Sequence, residues 1–470
     1  MIGVDVAGRT VVVVGAGTSG LAAARLLVRQ GAVVRLNDRR LPEALGASLD
    51  VLDELGVPAV LGHHDPKAFA SADLIVLSPG VPPLPAVEAA EARGVEVIGE
   101  AELAARFLRG TLVGITGTNG KSTVTSLVGR IMEATGRPTF VGGNLGRPLG
   151  DAVDHPAAGP DGSVVAELSS FQLERVPTLR PRVGVLLNLS PDHLDRYPSY
   201  RAYQEAKGNL FRRQEPDDVA VVPDGDPRCR ELAEAGEAAI LTFGRARGTV
   251  HEEGGRLVDE QTGAAFDLAE LPLAGAHNRL NAAAAMLTAR AAGAGPEAVA
   301  AGLRSARSLP HRAAHVADID GVAYIDDSKA TNVGAAVAAL DGLASPERRA
   351  VLIAGGVDKG GSYAPLAARL ASVGRGAVLL GQAAPRLREA LGRLGLTLLE
   401  ATDMRDAVAS ARSLARPGDI VLLAPACSSF DQYRSYVERG EAFVEAVRAL
   451  ASSRPSASHA PAAPPDEEAG

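Results

Sequence analysis

The sequence predicts an α/β protein built from three consecutive domains. Three observations point there. Short β-branched runs alternate with helical stretches along most of the chain. Glycine-rich turns stand where strand gives way to helix, at "GAGTSG" (Gly15 to Gly20) and "TGTNGKST" (Thr116 to Thr123). The strand–helix pattern then starts afresh after residue 308, in a chain whose 470 residues are enough for two to four domains.

The first domain is expected at 1–108, with a Rossmann-like order. "RTVVVVGAG" reads as a buried strand, "TSGLAAARLLVRQG" as a helix with Gly31 at its C-cap, "AVVRLND" as the next strand, and "ADLIVLSPG" as a later one stopping at Pro79-Gly80. The second domain, 109–308, opens with the strand "TLVGITG" and the helix "KSTVTSLVGRIMEATG". It continues with the strands "SVVAELSS", "VGVLLNLS" and "DDVAVVP" and closes on the helix "NRLNAAAAMLTARAAGAG"; it is expected to be a phosphate-loop ATPase with a parallel sheet. The third, 309–452, places strands at "RAVLIAGG", "GAVLLG" and "DIVLLAPA" and is again Rossmann-like. The Pro/Ala/Ser-rich stretch 453–470 cannot fill a core and is expected to be disordered.

Composition narrows the function. Hydrophobic residues make up 46% but aromatics only 3%, with no Trp, so the cores must be built from Val, Leu, Ile and Ala. A net charge of -8 disfavours sequence-independent nucleic-acid binding, which needs a basic face. Two cysteines far apart, Cys229 and Cys427, form neither a disulfide framework nor a metal knuckle. No run is apolar enough to span a bilayer, and "TVVVVGAGTSGLAAARLL" is a strand, a turn and a helix rather than a leader, so a cytoplasmic monomer without membrane insertion is expected.

Gly15, Gly17 and Gly20 fit G-x-G-x-x-G between a strand and a helix, with Asp38 at the end of the next strand, spaced for a ribose contact. Any nucleotide diphosphate satisfies that physics, NAD included; the bland alternative is a tight turn without a ligand. The second loop departs from the usual phosphate-loop spacing, because Ile115 stands where the first glycine belongs. Its core, Gly117, Thr118, Asn119, Gly120, Lys121, Ser122 and Thr123, still offers successive backbone N–H groups to an anion, a lysine for phosphate charge, and a hydroxyl for Mg²⁺. Glu167 closes a strand, and Asn188, Asp192, His193 and Asp195 follow the next one, at the sheet edge where open α/β folds bind ligands. Lys207 on a helix is either a solvated charge or a site residue. Asn278 and Asn281 lie three apart on a helix start, with capping as the alternative for Asn278. Arg312, at the junction of the second and third segments, is a cationic arm for a phosphate. Three polar strand-end loops, carrying Asp327, Ser328, Lys329, Thr331 and Asn332, then Asp358 and Lys359, then Ser428, Ser429 and Phe430, suit a small anionic substrate.

Together these motifs resemble the Mur ligases over about residues 8 to 450. "TGTNGKST" resembles the family's own ATP loop, and "AELSSFQL", "NLSPDHLDRY" and "YQEAKGN" its central motifs. "LPHR", "DDSKATN", "GGVDKG" and "PACSSFDQ" resemble the D-glutamate-adding members. Folate-polyglutamate ligases are more distant, lacking the first domain.

The resemblance implies ATP- and Mg²⁺-dependent addition of D-glutamate to UDP-N-acetylmuramoyl-L-alanine through an acyl phosphate. The first domain would then hold UDP, with contacts at Thr18, Ser19, Asp38, Arg39, Ser78 and Gly80, and with Asn144 near the substrate. Lys121 and Ser122 match phosphate and magnesium contacts, Glu167 and His193 magnesium ligands, and Lys207 a lysine carbamylated in the family. Asn278, Asn281, Arg312 and Asp327 match ATP contacts; Lys329, Thr331, Lys359, Ser429, Phe430 and Tyr436 surround D-glutamate, although the family often has Phe at the last position. Other readings are a different Mur-type amino-acid ligase, an NAD-dependent oxidoreductase resting on Gly15, Gly17, Gly20 and Asp38, or a non-catalytic nucleotide sensor. The oxidoreductase leaves Gly117 to Thr123 unexplained, and the set Lys121, Glu167 and His193 disfavours the sensor.

Overall fold

The computed structural model describes residues 5–452; the expected tail at 453–470 lies outside them. The chain divides into two compact units, bounded Met1–Ser308 and Leu309–Gly470. The first unit holds two sheets and the second holds one.

In the first sheet, β1 (Thr10–Val14), β2 (Val33–Asp38), β3 (Ala59–Leu61), β4 (Leu74–Leu77) and β5 (Glu96–Gly99) pair in the order β3-β2-β1-β4-β5, all parallel. Helices cover both faces, so β1 is a continuous Val run rather than an alternating one. The strand order reverses between β1 and β4, which opens a crevice beyond their C-terminal ends. The helix Thr18–Arg29 ends with Gln30 as its C-cap, and Gly31 follows at φ 80°, so the cap falls one position before the glycine that the sequence suggests.

The second sheet has nine strands: β6 (Thr111–Thr116), β7 (Thr139–Gly143), β8 (Ser163–Glu167), β9 (Val183–Leu186), β10 (Val219–Pro223), β11 (Ala239–Gly244), β12 (Val250–Glu253), β13 (Arg256–Asp259) and β14 (Ala265–Asp267). Their order is β14-β13-β12-β11-β10-β9-β6-β8-β7. The body is parallel, as expected, and β12, β13 and β14 add antiparallel hairpins at one edge. Helices Lys121–Ala134 and Ala276–Ala291 pack on one face, burying Val124, Leu127, Val128, Ile131 and the alanines from Ala282 to Ala285 with Val113, Val165 and Val185.

The second unit pairs β15 (Ala314–Ile319), β16 (Val322–Asp326), β17 (Ala350–Gly355), β18 (Gly374–Leu380), β19 (Thr397–Glu400) and β20 (Ile420–Leu423) in the order β15-β16-β20-β17-β18-β19. Only β15 runs antiparallel. Apolar layers fill both faces, one around Leu352, Leu366 and Leu422, the other around Ile353, Val408 and Phe443. Among the described residues no helix is long and apolar enough to cross a membrane.

Candidate functional site

At the reversal of the first sheet the Gly15–Gly20 turn and the Ser78–Gly80 turn meet. Gly15 takes φ 96°, and its carbonyl accepts the Ser78 hydroxyl at 3.0 Å. A Cβ on Gly20 would overlap the Gly15 oxygen, so only glycine lets the helix start that close to the strand end. Thr18 and Gly80 are exposed and Ser19 and Ser78 half-buried, open to a ligand; Arg39 is exposed. Asp38 is spent on the turn itself. Its Oδ2 accepts the Ala16 N–H at 2.7 Å, and its carboxylate binds Arg40 through the backbone N–H, Nε and Nη2. The Arg40 guanidinium and the Ala16 and Arg40 N–H groups outweigh the effect of burial and hold its pKa down at about 2. In this structure Asp38 braces the Gly15–Gly20 turn, a role that its spacing alone does not reveal.

In the second sheet, Gly117 to Gly120 connects β6 to the helix Lys121–Ala134. The following strand-end loop holds this turn. Asn188 accepts the Asn119 N–H at 2.9 Å and donates to the Asn119 carbonyl at 3.0 Å; the Thr118 hydroxyl meets Tyr203 Oη at 3.0 Å and accepts the Ser190 N–H at 3.0 Å. Lys121 Nζ donates to the Gly117 and Thr118 carbonyls, each at 2.9 Å, and Ser122 and Thr123 open the helix. Asn281 Oδ1 reaches the far side: a Cβ on Gly120 would lie 2.6 Å from it. Asn281 also donates to Asn278 Oδ1 at 3.3 Å, while Asn278 bonds Ala274 and Gly275 caps the helix, so Asn278 is not the cap.

Lys207 lies beneath the same turn. Ser199 caps its helix, accepting the Ala202 N–H at 3.1 Å. Its buried Nζ donates to the Gly117 carbonyl at 2.9 Å and stands 4.8 Å from the Tyr203 ring centroid. Burial, and then the positive charge of Lys121, push its pKa well below the usual lysine range.

Glu167 closes β8 with its carboxylate buried. Oε1 accepts Asn144 Nδ2 at 2.6 Å, and Oε2 has no hydrogen-bond partner. A buried carboxylate oxygen without a donor is costly, and a cation answers it. His193 stands at φ 55° on the loop after β9, edge-on to Phe171 at 4.8 Å, with its Nε2 3.8 Å from Asp192. Among the described residues no three His, Cys, Asp or Glu side chains converge into a ready-made metal cluster. Ser122 and Glu167 offer the hard oxygen donors that suit Mg²⁺, an ion that keeps waters and takes phosphate oxygens, and His193 would add a softer nitrogen.

In the second unit, three strand-end loops meet the start of the helix Tyr436–Ser452. Lys329 Nζ sits 3.8 Å from the Tyr436 ring centroid, and the Ser328 hydroxyl donates to the Tyr436 carbonyl at 2.7 Å. His311 is held by Asp326 at 2.6 Å, and a Cβ on Gly440 would strike its ring. Burial raises Asp327 to about 7, against the pull of Arg312 and the Ala313 N–H. Thr331 and Lys359 are half-buried and Ser429 is buried, whereas Phe430 is 73% exposed and stands apart from the packed cluster. Sequence reasoning missed Arg439. This buried guanidinium donates to Ser328 Oγ and the carbonyls of Ser328, Cys427 and Gly355, tying all three loops together. The only signal in the sequence is an arginine one helical turn after Tyr436.

Parallel sheets with glycine turns at their C-terminal edges, and a Gly-Lys-Ser turn flanked by a buried carboxylate, define a nucleotide-handling α/β protein of the phosphate-loop kind. The chain belongs to the Mur ligase family. It matches the MurD-like N-terminal domain over residues 9–99, the Mur ligase middle domain over 115–289, and the Mur ligase glutamate ligase domain over 311–427. It is 47% identical over 456 residues to the UDP-N-acetylmuramoylalanine--D-glutamate ligase of Anaeromyxobacter dehalogenans, covering 93% of this chain and 97% of that one. The Myxococcus xanthus protein of the same name is 44% identical, covering 94% and 99%. Among solved structures, the UDP-N-acetylmuramate-alanine ligase MurC of Thermotoga maritima matches with a TM-score of 0.59 and 20% identity, over 94% of this chain and 100% of that one. The MurF ligase of the same organism, in complex with ADP, matches with a TM-score of 0.57 and 18% identity, over 94% and 96%. These two likenesses speak for the fold alone.

Proposed function

We propose that this protein is an ATP-dependent ligase that joins D-glutamate to UDP-N-acetylmuramoyl-L-alanine, as a cytoplasmic step of peptidoglycan precursor synthesis. The domains we assign are 1–108 for the UDP substrate, 109–308 for ATP and 309–452 for the amino acid. The observation that carries the reading is the cluster at the end of β6 and β8: Lys121 and Lys207 on one carbonyl, and the unpartnered Glu167 Oε2. The names of relatives sharing 43–47% of their residues with this chain supply the substrate class.

A carboxylate is a poor electrophile, so the lactoyl-L-alanine carboxylate must first be activated. Its oxygen attacks the γ-phosphorus of ATP, the bond to ADP breaks, and an acyl phosphate forms. The neutral amine of D-glutamate then attacks the acyl carbon; the tetrahedral intermediate loses phosphate and leaves an amide. The protein's share is positioning and charge neutralisation. Lys121 and the N–H groups from Gly117 to Thr123 hold the triphosphate; Asn278, Asn281, Arg312 and Asp327 are assigned to the rest of the nucleotide. His193 and Asn144 are assigned to the reacting carboxylate. Ser122, Glu167, His193 and a carbamylated Lys207 would hold Mg²⁺, which offsets phosphate charge when bound. Lys329, Thr331, Lys359, Ser429, Phe430 and Tyr436 are assigned to D-glutamate, and Thr18, Ser19, Asp38, Arg39, Ser78 and Gly80 to the UDP moiety.

A panel of UDP-muramoyl precursors against candidate amino acids, read by phosphate release, tests this directly. Release that needs both UDP-N-acetylmuramoyl-L-alanine and D-glutamate is expected. Release with a different amino acid overturns the substrate assignment, and NAD binding without UDP-sugar binding overturns the class.

A further inference from the structure

The motif "NLSPDHLDRY" contributes His193 to the proposed site but leaves Arg196 and Tyr197 without a task. The structure gives them one. Arg196 Nη2 donates to the Val81 carbonyl at 3.2 Å and to Glu174 Oε2 at 3.1 Å. Its guanidinium lies over the Phe171 ring, 4.5 Å from the centroid. The Tyr197 hydroxyl donates to the other oxygen of the same carboxylate, Glu174 Oε1, at 2.7 Å, and its ring stacks on Phe171 at 5.9 Å. Five groups from three chain segments are thereby joined at one point.

Both ends of this clasp lead to proposed substrate groups. Val81 closes the turn that carries Ser78, its N–H donating to the Ser78 carbonyl at 3.0 Å, and Ser78 in turn bonds Gly15. At the other end the N–H groups of Arg196 and Tyr197 both donate to the His193 carbonyl at 3.0 Å, and Phe171 meets the His193 ring edge-on at 4.8 Å. His193 holds φ 55°, a left-handed conformation uncommon outside glycine, so the contacts around it bear on its orientation. The clasp borders a cavity of about 170 Å³ lined by Ser78, Val81, Phe171, Gln172, Glu174 and Arg196.

We propose that Arg196 is a positioning residue that couples the Ser78–Gly80 turn, where the UDP-substrate is assigned, to the orientation of His193. The inference rests on the ligase reading above. Lysine cannot replace arginine here: one planar cation stacks on a ring while the same nitrogen bonds a carbonyl and a carboxylate, and an ammonium on a flexible stem holds one such partner at a time. The bonds from Lys121 and Asn188 to Gly117–Asn119 do not pass through Arg196, so loss of the clasp is expected to leave the nucleotide loop in place.

The test is steady-state kinetics and hydrogen exchange on the full-length protein. With Arg196→Met, KM for UDP-N-acetylmuramoyl-L-alanine is expected to rise about tenfold and kcat to fall about tenfold, while KM for ATP stays within about twofold. Arg196→Lys recovers only part of the loss. In the wild type, adding the UDP-substrate alone is expected to slow exchange in both 78–84 and 190–197; in Arg196→Met the protection is confined to 78–84. Joint protection surviving in the variant, or KM for ATP and UDP-substrate rising together, overturns the proposal. Should Arg196→Met fail to fold, Glu174→Gln withdraws the countercharge and is expected to give the same split at about threefold; equal kinetics in that variant also overturn it. A wild type that releases no phosphate with both substrates overturns the ligase reading instead, and the exchange pattern with UDP alone then judges the coupling separately.

Discussion

Lys121 and Lys207 donate to one carbonyl, that of Gly117, at 2.9 Å each, although two ammonium groups so placed repel. The conflict resolves if one of them is neutral, and burial selects Lys207. A neutral amine can attack CO₂: the N–C bond forms, one proton leaves to solvent, and the uncharged amine becomes an anionic carbamate near the Glu167 carboxylate. Replacing Lys207 with Ala is therefore expected to cost most of the turnover, with part restored by short carboxylates; wild-type rates in that variant would refute the carbamate. Lys121→Ala should lower phosphate release by on the order of 10² or more, because the charge it supplies counts most as the γ-phosphoryl transfers. Glu100 is another buried group whose titration is shifted by burial. Gly150 donates to its Oε1 at 2.6 Å and its Oε2 has no partner, and burial raises its pKa to about 7. Its folded-state pKa lies above the unfolded value, so the folded form holds the proton longer. Stability is then lost as pH rises from about 4 to about 7 and levels off above that. Glu100→Gln should remove this slope: the variant gains on the wild type in denaturant midpoint from pH 5 to pH 8. Parallel pH curves for the two proteins would contradict the assignment.

Most of the proposed site residues sit at or just after the C-terminal end of a strand, with Lys207, Asn278, Asn281 and Tyr436 on helices instead, and the strand-end placement was legible because glycine and proline punctuate those ends. "GKST" before a helix, "AE" at the end of β8 and "DDSK" at the end of β16 could be placed without coordinates. What pairs across sequence could not. The Asn188 bridge to Asn119, the Asn144 grip on Glu167 and the Arg439 tie join residues that no local pattern associates. The hairpin of β12 and β13 is different, since Gly254-Gly255, with positive φ at both residues, is an ordinary tight-turn signal that went unread between two short charged strands. At the level of the turn itself, Gly120 decides whether the phosphate loop keeps its shape. It holds φ 85°, and any Cβ there meets Asn281 Oδ1. Gly120→Ala should therefore cost on the order of 1 kcal/mol in backbone strain and push Asn281 off the loop. KM for ATP is expected to rise at least about tenfold with KM for D-glutamate unchanged; an unaltered KM for ATP would mean that the loop does not hold the nucleotide.

The apolar layers of the molecule respect the division at residue 308. The groups around Val113 and Leu168 draw only on the first unit, and those around Leu352 and Ile353 only on the second. Inside the first unit, by contrast, its two sheets are cross-linked. Glu102 accepts the Thr178 and Leu179 N–H groups, the latter at 2.8 Å, and also binds Arg106, and Gly99 donates to the Arg175 carbonyl at 2.9 Å. Such a carboxylate, fully buried and bonded to groups on both sides of residue 108, loses those partners when the two parts separate. Cooperative unfolding should follow these boundaries rather than the three sheets. A fragment spanning 309–470 is expected to fold alone, because its six-stranded sheet has both faces covered by its own helices. A fragment ending at residue 108 is expected to be much less stable than the same residues within 1–308, for want of Thr178, Leu179 and Arg175. Circular dichroism melts of the three fragments check this. A cooperative transition for 309–470 at the midpoint it shows in the full chain fits the division, and an uncooperative one would place part of its core in the rest of the molecule. If 1–108 melts like 1–308, the Glu102 contacts contribute nothing to holding the first two sheets as one unit, and the Arg196 clasp, which spans the same boundary, would lose its rigid frame.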